Sequence, residues 1–303
     1  MKIDNLSFLI LTFNEEIHIK RCITDLLSFV PNTNIYVIDS YSDDTTIQIC
    51  NNFNVVVYQN TFINHSSQIN WAINTIKFNT DWIMRVDADE LLSNNLKLGI
   101  KKAISVNGNF NGFLIKRVIS FKGKILKFGG ISHWVLRLWR NNMAVADGRL
   151  MDEHMLLLSG KSGYIKGTLI DENLNGIGWW INKHNTYSSK EAIEILNGKY
   201  NIYASNNTIH QLDNVNFLKH WLKDNIYNKM LPQFRSFLYF LYRMFFLLGF
   251  LDGSSGLLFH FLQGFWYRLI VDTKVLEVEN RMKVDRISCR EAIDIELNGS
   301  KFL

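Results

Sequence analysis

The sequence predicts an α/β fold in which helices cover a mixed sheet, followed by a helical C-terminal extension. Three observations support this class. Apolar, β-rich runs alternate with helix-length segments over the first hundred residues, a pattern typical of parallel strands that are buried on both faces. Strand-like stretches separated by glycines begin at about Gly112, and aromatic-rich helical runs occupy the last third of the chain.

The first hundred residues supply four strands and four helices in alternation. In the first predicted helix, apolar residues such as Ile19, Ile23 and Leu26 recur at helical spacing. The predicted strands are Phe8–Phe13, Ile35–Ile38, Val55–Tyr58 and Trp82–Val86. The predicted helices are Glu15–Phe29, Asp44–Asn52, Ser66–Ile76 and Asn94–Ser105.

The middle of the chain predicts an antiparallel addition to this sheet. Three strand-like stretches, Gly112–Phe121, Lys124–Phe128 and Leu136–Trp139, are separated by glycine-containing segments. A helical pattern returns over Trp179–Leu196. The Asn-rich segment Tyr200–Asn216 that follows is expected to be an irregular connection.

The last third predicts a helical hairpin rich in aromatic residues. Its arms are Arg235–Leu251 and Leu257–Val271, joined by a turn over residues 252–256. Arg243 and His260 interrupt the ~18–20 apolar residues that a spanning helix needs. We therefore expect a hairpin that lies in a membrane interface, with an ordinary buried helical hairpin as the alternative.

Composition excludes several classes of protein. With 47% hydrophobic and 20% charged residues, the 303-residue chain can bury a large core and is not a disordered protein. Cys22, Cys50 and Cys289 form no C-x-x-C pair, which argues against a disulfide framework or a structural zinc site. The apolar run at Phe8–Leu11 is too short for a signal peptide, so a cytoplasmic location is expected. The net charge of +5 suits anionic partners, of which nucleic acid is only one.

Asp87 and Asp89 follow the fourth predicted strand and lie two residues apart, so their side chains project to one side. In an open α/β sheet, ligands bind beyond the carboxyl ends of the strands. Two carboxylates at that place can hold a divalent cation, which in turn neutralises a diphosphate. The same pair also occurs in ordinary solvated loops, and it is its place at a strand end that favours a metal site.

Asp39 follows the second predicted strand directly. Helix capping accounts for Ser42, Asp43 or Asp44 in the same polar cluster, but it does not account for Asp39. We expect this carboxylate to point into the crevice beyond the sheet, where it can accept hydrogen bonds from a uracil or a ribose.

Together these motifs resemble the nucleotide-sugar domain of family-2 glycosyltransferases, which have the GT-A fold. The similar stretches read LILTFNEEIHIKRCI (9–23), VIDSYSDDTT (37–46), HSSQINWAI (65–73) and WIMRVDADE (82–90). Later stretches resemble the branch that contains lipopolysaccharide-core and capsule enzymes, and these are 129–140, 149–155, 183–191 and 249–268. The resemblance implies a nucleotide-sugar-binding half over 1–110, an acceptor and catalytic half over 111–215, and a helical, membrane-associating extension over 216–303.

The resemblance also assigns residues to the donor site. The implied nucleotide-binding residues are Thr12, Asn14, Glu15, Asp39, Gln68, Asn70 and Asp87. Asp87 would lie near the ribose, and Asp89 would bind a Mn²⁺ or Mg²⁺ ion. Taken without the family, Gln68 and Asn70 belong to an exposed helix face.

A His-Glu-His-like motif of the branch reads Asp152-Glu153-His154 here. The resemblance implies that Glu153 is the general base for the acceptor hydroxyl. Asp152 is the alternative base, because it replaces the first histidine of the motif. His154 would complete the metal shell or orient the base. Without the resemblance, these residues form a solvated acidic turn after a strand.

Three further residues are possible members of the site. Arg137 can clamp a phosphate through two parallel hydrogen bonds, or it can form a surface ion pair. Lys183 and His184 begin a helical motif that would close over the diphosphate.

The resemblance implies a metal-assisted, inverting enzyme that moves a sugar from a nucleotide-sugar, with a UDP-sugar as the expected donor. The acceptor would be a saccharide or lipid-linked saccharide of a bacterial lipopolysaccharide or capsule. The place of action would be the cytoplasmic face of the inner membrane, without a nucleic-acid partner. One alternative is a catalytically degenerate, membrane-associated sugar-nucleotide-binding protein. A nucleotidyltransferase is the other, and the absence of glycine from the loop Thr12–Glu16 counts against it.

Overall fold

A computed structural model describes residues 2–106, 108–147, 154–202 and 232–297. The chain divides into two units, of which the first comprises Met1–Lys127 and Ile131–Asn175 and the second Phe128–Gly130 and Gly176–Leu303. The first unit is a mixed sheet flanked by helices, and the second is helical. The predicted α/β class with a helical C-terminal extension is therefore confirmed. The three-way division at 110/111 and 215/216 stays a prediction, and its second boundary lies outside the described residues.

One side of the sheet is parallel, as the alternating pattern predicts. Strands β1 (Leu6–Thr12), β2 (Ile35–Asp39), β3 (Val56–Gln59) and β4 (Trp82–Asp87) pair in the order β3-β2-β1-β4. The helices of this part are α1 (Glu16–Leu27), α2 (Thr46–Asn52), α3 (His65–Thr75) and α4 (Asn94–Ser105). Nearly every residue of β1 and β4 is buried, which explains why most of their residues are apolar.

The other side of the sheet is mixed. Its strands are β5 (Glu90–Leu92), β6 (Phe110–Phe121), β7 (Lys124–Ile125), β8 (His133–Arg140) and β11 (Lys161–Glu172). Between β8 and β11 in the chain, β9 (Ala144–Ala146) and β10 (Met155–Leu157) form a separate two-stranded sheet. The order continues β4-β8-β6-β11-β5, and β8 is antiparallel to both of its neighbours. The antiparallel addition was predicted, whereas β11 was not.

The strand predicted over Lys124–Phe128 is shorter than expected and ends at Ile125. Phe128 belongs to the second unit, where its backbone N–H donates to the Asp252 carboxylate at 2.9 Å. The backbone at this position is therefore bonded to a side chain and is not available to a sheet partner.

Strand β11 contains a bulge that depends on a glycine. Its register with β6 shifts between Ile165 and Thr168. Gly167 has φ +116° there, and a Cβ at this position would lie 2.3 Å from the backbone nitrogen of Leu96. Beyond the bulge, β11 runs antiparallel to β5, with Asp171 opposite Glu90. This register brings the end of β11 beside the residues that follow β4.

The core lies on both faces of the sheet because successive strand residues point to opposite sides. On one face, Phe8 and Ile10 pack with Ile23 of α1. On the other, Leu9 packs with Ile69 of α3 and Trp139 of β8.

The described part of the second unit is helical, and the longest helix in that part contains the helix predicted over Trp179–Leu196. The α-helices are α5 (Ile177–Tyr200), α6 (Pro232–Leu241), α7 (Gly253–His260), α8 (Tyr267–Asp285) and α9 (Cys289–Leu297). Short π-helical segments at Tyr242–Phe246 and Phe261–Trp266 and a 3₁₀ turn at Gly249–Asp252 join some of them. The segment predicted as irregular, Tyr200–Asn216, lies mostly outside the described residues.

The turn predicted over residues 252–256 was placed too late in the chain. Residues 253–256 are helical and begin α7, whereas the break between the arms lies at Leu248, whose φ is +59°. No single helix among the described residues is long and apolar enough to cross a bilayer. Phe234–Phe246 and Gly249–Asp285, bent by 74° at their break, meet the length and composition requirement together.

Candidate active site

The carboxyl ends of three neighbouring strands, β2, β1 and β4, meet at one edge of the sheet. Thr12 at the end of β1 pairs with Asp39 at the end of β2, and Leu11 pairs with Asp87 at the end of β4. Parallel strand ends form the crevice in which open α/β sheets bind ligands. The topology thus brings the acids predicted from separate motifs to the same edge.

Asp39 is fully buried and organises the loop that follows β2. Its carboxylate accepts hydrogen bonds from the Ser42 backbone N–H (2.8 Å) and hydroxyl (2.5 Å), and from the Thr12 hydroxyl (3.0 Å). The residue predicted to contact a base therefore makes its described hydrogen bonds within the chain and ties the first two loops together.

Asn14 and Glu15 extend this connection between the loops. Asn14 adopts φ +55°, and its side-chain oxygen accepts from the Asp43 N–H at 3.0 Å. The Glu15 N–H donates to the Thr46 hydroxyl at 2.8 Å. The two loops consequently form one cross-linked wall of the crevice, which carries Thr12, Asn14 and Glu15. Their role in nucleotide binding stays a prediction.

Gln68 and Asn70 of α3 are placed differently from each other. Gln68 is buried, and its amide donates to the Ser40 hydroxyl and the Asn60 carbonyl, both at 3.2 Å, at the level of the strand ends. Asn70 uses both ends of its amide on the backbone of Ala146, at 2.9 Å each. Asn70 therefore fastens β9 to α3.

Asp87 lies between two arginines, Arg137 and Arg85, of which only Arg137 was predicted as a possible member of the site. Arg137 Nη2 donates to its Oδ2 at 2.9 Å and Arg85 Nε donates to its Oδ1 at 3.1 Å. Burial acts to raise the pKa of Asp87, but the Arg137 and Arg85 guanidinium groups hold that pKa well below its usual range. The described contacts of Arg137 are those of an ion pair, in which Arg137 is buried and the Asp87 side chain is 29% exposed.

Glu90 shares the same arginine and was missed from the sequence. It is buried, and its Oε1 accepts from Arg137 Nη2 at 2.9 Å and from Arg117 Nε at 3.1 Å. Burial raises the pKa of Glu90 to about 7 against the opposing effect of Arg137. Its place directly after the D-x-D pair is the signal that would have identified it.

Asp89 is the acid of the pair that makes no ion pair with an arginine among the described residues. Its Oδ2 accepts from the side-chain amide of Asn173 at 3.1 Å, and its backbone carbonyl accepts from the Glu172 N–H at 2.9 Å. Mg²⁺-type ions are commonly bound by one or two carboxylates together with substrate phosphates. Asp89 fits that donor set, whereas Asp87 is already neutralised by arginines.

The described residues contain no group of three or more His, Cys, Asp or Glu side chains that could hold a metal ion by themselves. An ion at Asp89 would therefore need ligands beyond the described side chains, for example phosphate oxygens of a substrate. Asp152 and Glu153, the predicted bases, lie outside the described residues.

His154 immediately precedes β10. Its backbone N–H donates to the Asp147 carboxylate at 2.8 Å, and its carbonyl accepts from the Asp147 N–H at 2.9 Å. The side chain is exposed. These two hydrogen bonds join the residues that flank 148–153 in sequence, the segment to which Asp152 and Glu153 belong.

Lys183 and His184 lie on α5, in the second unit. The Lys183 amine lies 4.6 Å from the ring centroid of Trp179 and 5.7 Å from that of Tyr187. His184 stacks on Trp180 at 3.5 Å, and burial lowers its pKa to about 4. Their predicted role over a diphosphate stays a prediction.

Comparison with known proteins bears on this edge of the sheet. Residues 7–121 match the family model of glycosyl transferase family 2. The matched region runs from the second residue of β1 to the end of β6, and it contains both loops and the D-x-D pair. An uncharacterized glycosyltransferase of Rickettsia typhi is 24% identical over 210 residues, which cover 63% of this chain and 68% of that protein.

Similar solved structures include a mannosyltransferase of Pyrobaculum calidifontis in complex with GDP-Man and Mn²⁺, with a TM-score of 0.30, 14% identity, and coverage of 37% of this chain and 35% of that one. Glucosyl-3-phosphoglycerate synthase of Mycobacterium tuberculosis in complex with Mn²⁺ and UDP-Glc has a TM-score of 0.31 and 17% identity, with coverage of 39% and 44%. This chain thus spans less than half the length of either solved structure.

Proposed function

We propose that this protein is a glycosyltransferase that moves a sugar from a nucleotide-sugar donor to an acceptor hydroxyl. One observation carries the proposal. Within the region that matches glycosyl transferase family 2, the carboxylate of Asp89 lies just beyond β4, at the edge where β1 and β2 also end. A carboxylate at this place suits a donor whose leaving group is a diphosphate.

In the proposed site, Asp89 holds a divalent cation, Mn²⁺ or Mg²⁺, and the diphosphate supplies further ligands. When bound, such an ion neutralises the charge that develops on the leaving diphosphate. The cross-linked wall of Thr12, Asn14, Glu15 and Asp39 shapes the nucleotide side of the crevice. Because this wall is hydrogen-bonded before any ligand binds, it loses little entropy on binding.

Glu153 is the proposed general base, with Asp152 as the alternative. Its carboxylate takes the proton of the acceptor hydroxyl while that oxygen forms a bond to the anomeric carbon. The bond from this carbon to the diphosphate oxygen breaks in the same displacement, so the configuration inverts. The proton ends on the carboxylate, and the electron pair leaves with the nucleoside diphosphate.

A UDP-sugar is the proposed donor, and a saccharide of a bacterial lipopolysaccharide or capsule is the proposed acceptor. The stretches at 129–140 and 183–191, which resemble enzymes of such glycans, support the acceptor class. Lipid-linked acceptors would place the enzyme at the cytoplasmic face of the inner membrane.

The apolar surface of the helical hairpin supports this location. We define it by Phe234, Phe245, Phe246, Phe250, Leu251 and Leu257, whose exposure ranges from 47% to 79%. Exposed apolar patches of this kind mark sites of interaction with a membrane or a protein. The two bent segments that pass the length and composition requirement for a bilayer contain all six residues, which favours lipid as the partner.

A panel of UDP- and GDP-sugars tests the proposed reaction. The purified protein is incubated with each donor and Mn²⁺, and release of the nucleoside diphosphate is measured with and without a chelator. We expect hydrolysis of one donor class that the chelator abolishes. No turnover of any donor, by a protein shown to be folded, would contradict the proposed function.

A further inference from the structure

The loop that follows β11 holds the side chain of Asp89. We infer that Asn173 is a positioning residue that orients the Asp89 carboxylate for a divalent cation, an inference that rests on the proposed function. Asn173 lies 84 positions from Asp89 in sequence, and no motif connects the two.

The register of the sheet brings these residues together. Asp171 pairs with Glu90 in the antiparallel β11–β5 ladder, and the Glu172 N–H donates to the Asp89 carbonyl at 2.9 Å. Asn173 is the next residue of the chain, so its side chain reaches the Asp89 carboxylate. Its Nδ2 donates to Asp89 Oδ2 at 3.1 Å.

The orientation of the Asn173 amide is fixed by a second hydrogen bond. Its Oδ1 accepts from the backbone N–H of Asn175 at 3.0 Å, as in an Asx turn. With the oxygen engaged in this way, the NH₂ group must face Asp89. The Asn173 amide therefore presents its NH₂ group, a hydrogen-bond donor, to the Asp89 carboxylate, which can only accept.

The loop itself is anchored on α1. Nε2 of the buried His18 accepts from the Leu174 N–H at 2.9 Å, and its Nδ1 lies 2.6 Å from the Glu15 carboxylate. Because Nε2 accepts, Nδ1 is the nitrogen that donates to Glu15. Glu15 belongs to the wall of the crevice, so the loop holding Asp89 is connected to that wall through one side chain.

A hydrogen bond to one oxygen of a ligating carboxylate fixes the orientation of the carboxylate plane. The lone pairs that this bond does not use remain available to bind the ion. Loss of such a supporting partner typically lowers metal affinity by about 10–100-fold. Asn173 makes no charge contribution of its own, so its removal should change affinity through orientation alone.

The test compares Asn173→Ala with Asn32→Ala in the whole 303-residue chain. Asn32 provides a matched control because its amide donates to the Asn54 carbonyl at 2.9 Å, and it precedes β2, at the end of that strand away from the crevice. Binding of Mn²⁺ in the presence of UDP is followed by loss of the free-ion electron paramagnetic resonance signal. Thermal unfolding of the metal-free proteins is recorded in parallel.

We expect Asn173→Ala to weaken Mn²⁺ binding about 10–100-fold relative to wild type, while Asn32→Ala binds as wild type does and both variants unfold at similar temperatures. Wild-type affinity in a folded Asn173→Ala protein would overturn this inference and leave the proposed function intact. A wild-type protein that binds no Mn²⁺ with UDP would overturn the inference together with the proposed metal. Equal weakening in both variants would show a general loss of stability, and would also refute the positioning role.

Discussion

The side-chain amide of Asn70 pairs with the backbone of Ala146 as a neighbouring strand would. Nδ2 donates to the Ala146 carbonyl and Oδ1 accepts from its N–H, both at 2.9 Å. Ala146 ends β9, and Asp147 and His154 then exchange two hydrogen bonds. Helix α3, which carries Gln68 toward the strand ends, therefore also holds Ala146. This residue immediately precedes Asp147, and Asp147 and His154 flank the sequence segment that contains Glu153.

Replacing Asn70 by Ala should lower kcat and leave UDP binding nearly unchanged. Loss of both hydrogen bonds releases β9 from α3, and misplacement of a catalytic group by about 1 Å can cost about 100-fold. Initial rates and calorimetric titration with UDP separate the two effects. Asn111→Ala, which loses a single 2.9 Å bond to the Ser159 carbonyl, is the control. A fall in UDP affinity at constant kcat would instead support the nucleotide contact first predicted for Asn70.

The two acids of the D-x-D pair should respond differently to Asn. Asp87→Asn removes the carboxylate charge that Arg85 and Arg137 face, although Arg137 keeps its pair with Glu90. Because the Asp87 side chain is partly exposed, the loss of stability should exceed about 1 kcal/mol but stay below the ~3–5 kcal/mol of a fully buried pair. Asp89→Asn removes no ion pair described here, so its stability should change by less than about 0.5 kcal/mol. Urea unfolding and activity are measured for both variants. Full activity in Asp89→Asn would contradict the proposed metal ligand.

The assignment of the base predicts a large effect at one of two adjacent positions. Glu153→Gln should reduce turnover at least about 100-fold, because general bases contribute ~10²–10⁴. The affinity for UDP should remain close to that of wild type. Asp152→Asn is the matched variant and should retain most of the activity. The reverse outcome would transfer the role of base to Asp152.

The buried Glu90 predicts a pH dependence of stability with a definite sign. Its pKa in the folded protein is about 7, above the ordinary value of 4.5. The folded state therefore binds more protons than the unfolded state between these values, and stability falls as the pH rises through this range. Each pKa unit corresponds to 1.36 kcal/mol, so wild type should lose roughly 2 kcal/mol relative to Glu90→Gln between pH 5 and pH 8.

The comparison with Glu90→Gln isolates this group from other titrations. His184 and His260, whose pKa values burial lowers to about 4, contribute stability as the pH rises and are present in both proteins. Urea unfolding at several pH values measures the difference. A constant difference between the two proteins from pH 5 to pH 8 would show that Glu90 is ionised throughout.

The apolar surface of the hairpin predicts binding to lipid vesicles. Phe245 and Phe246 are 61% and 79% exposed, and burial of one such side chain in lipid is worth about 1.5–3 kcal/mol. Replacing both by Ser should lower the partition coefficient to vesicles of phosphatidylethanolamine and phosphatidylglycerol at least about tenfold. Leu98→Ser, at a 67% exposed position on α4, should bind as wild type does. Self-association of the wild type without vesicle binding would indicate a protein partner at this surface.

The parallel half of the sheet could be predicted because its signals are local. Continuous apolar runs that alternate with helical spacing define β1 to β4, and the acids Asp39, Asp87 and Asp89 lie at or just after strand ends. Strand β11 was missed because its sequence, from Lys161 to Glu172, is partly exposed and contains a bulge at Gly167. Its pattern is neither continuously apolar nor strictly alternating.

The sequence by itself determined the α/β class, the edge at which the acids gather and the helical nature of the C-terminal region, since each of these follows from the order and spacing of neighbouring residues. The tertiary structure alone decided which partners the polar side chains bind. It buried Arg137 between Asp87 and Glu90, turned Asn70 onto Ala146 and brought Asn173 to Asp89. These contacts join residues 47 to 84 positions apart, and they depend on which strands become neighbours in the sheet, a choice made by the packing of the whole unit.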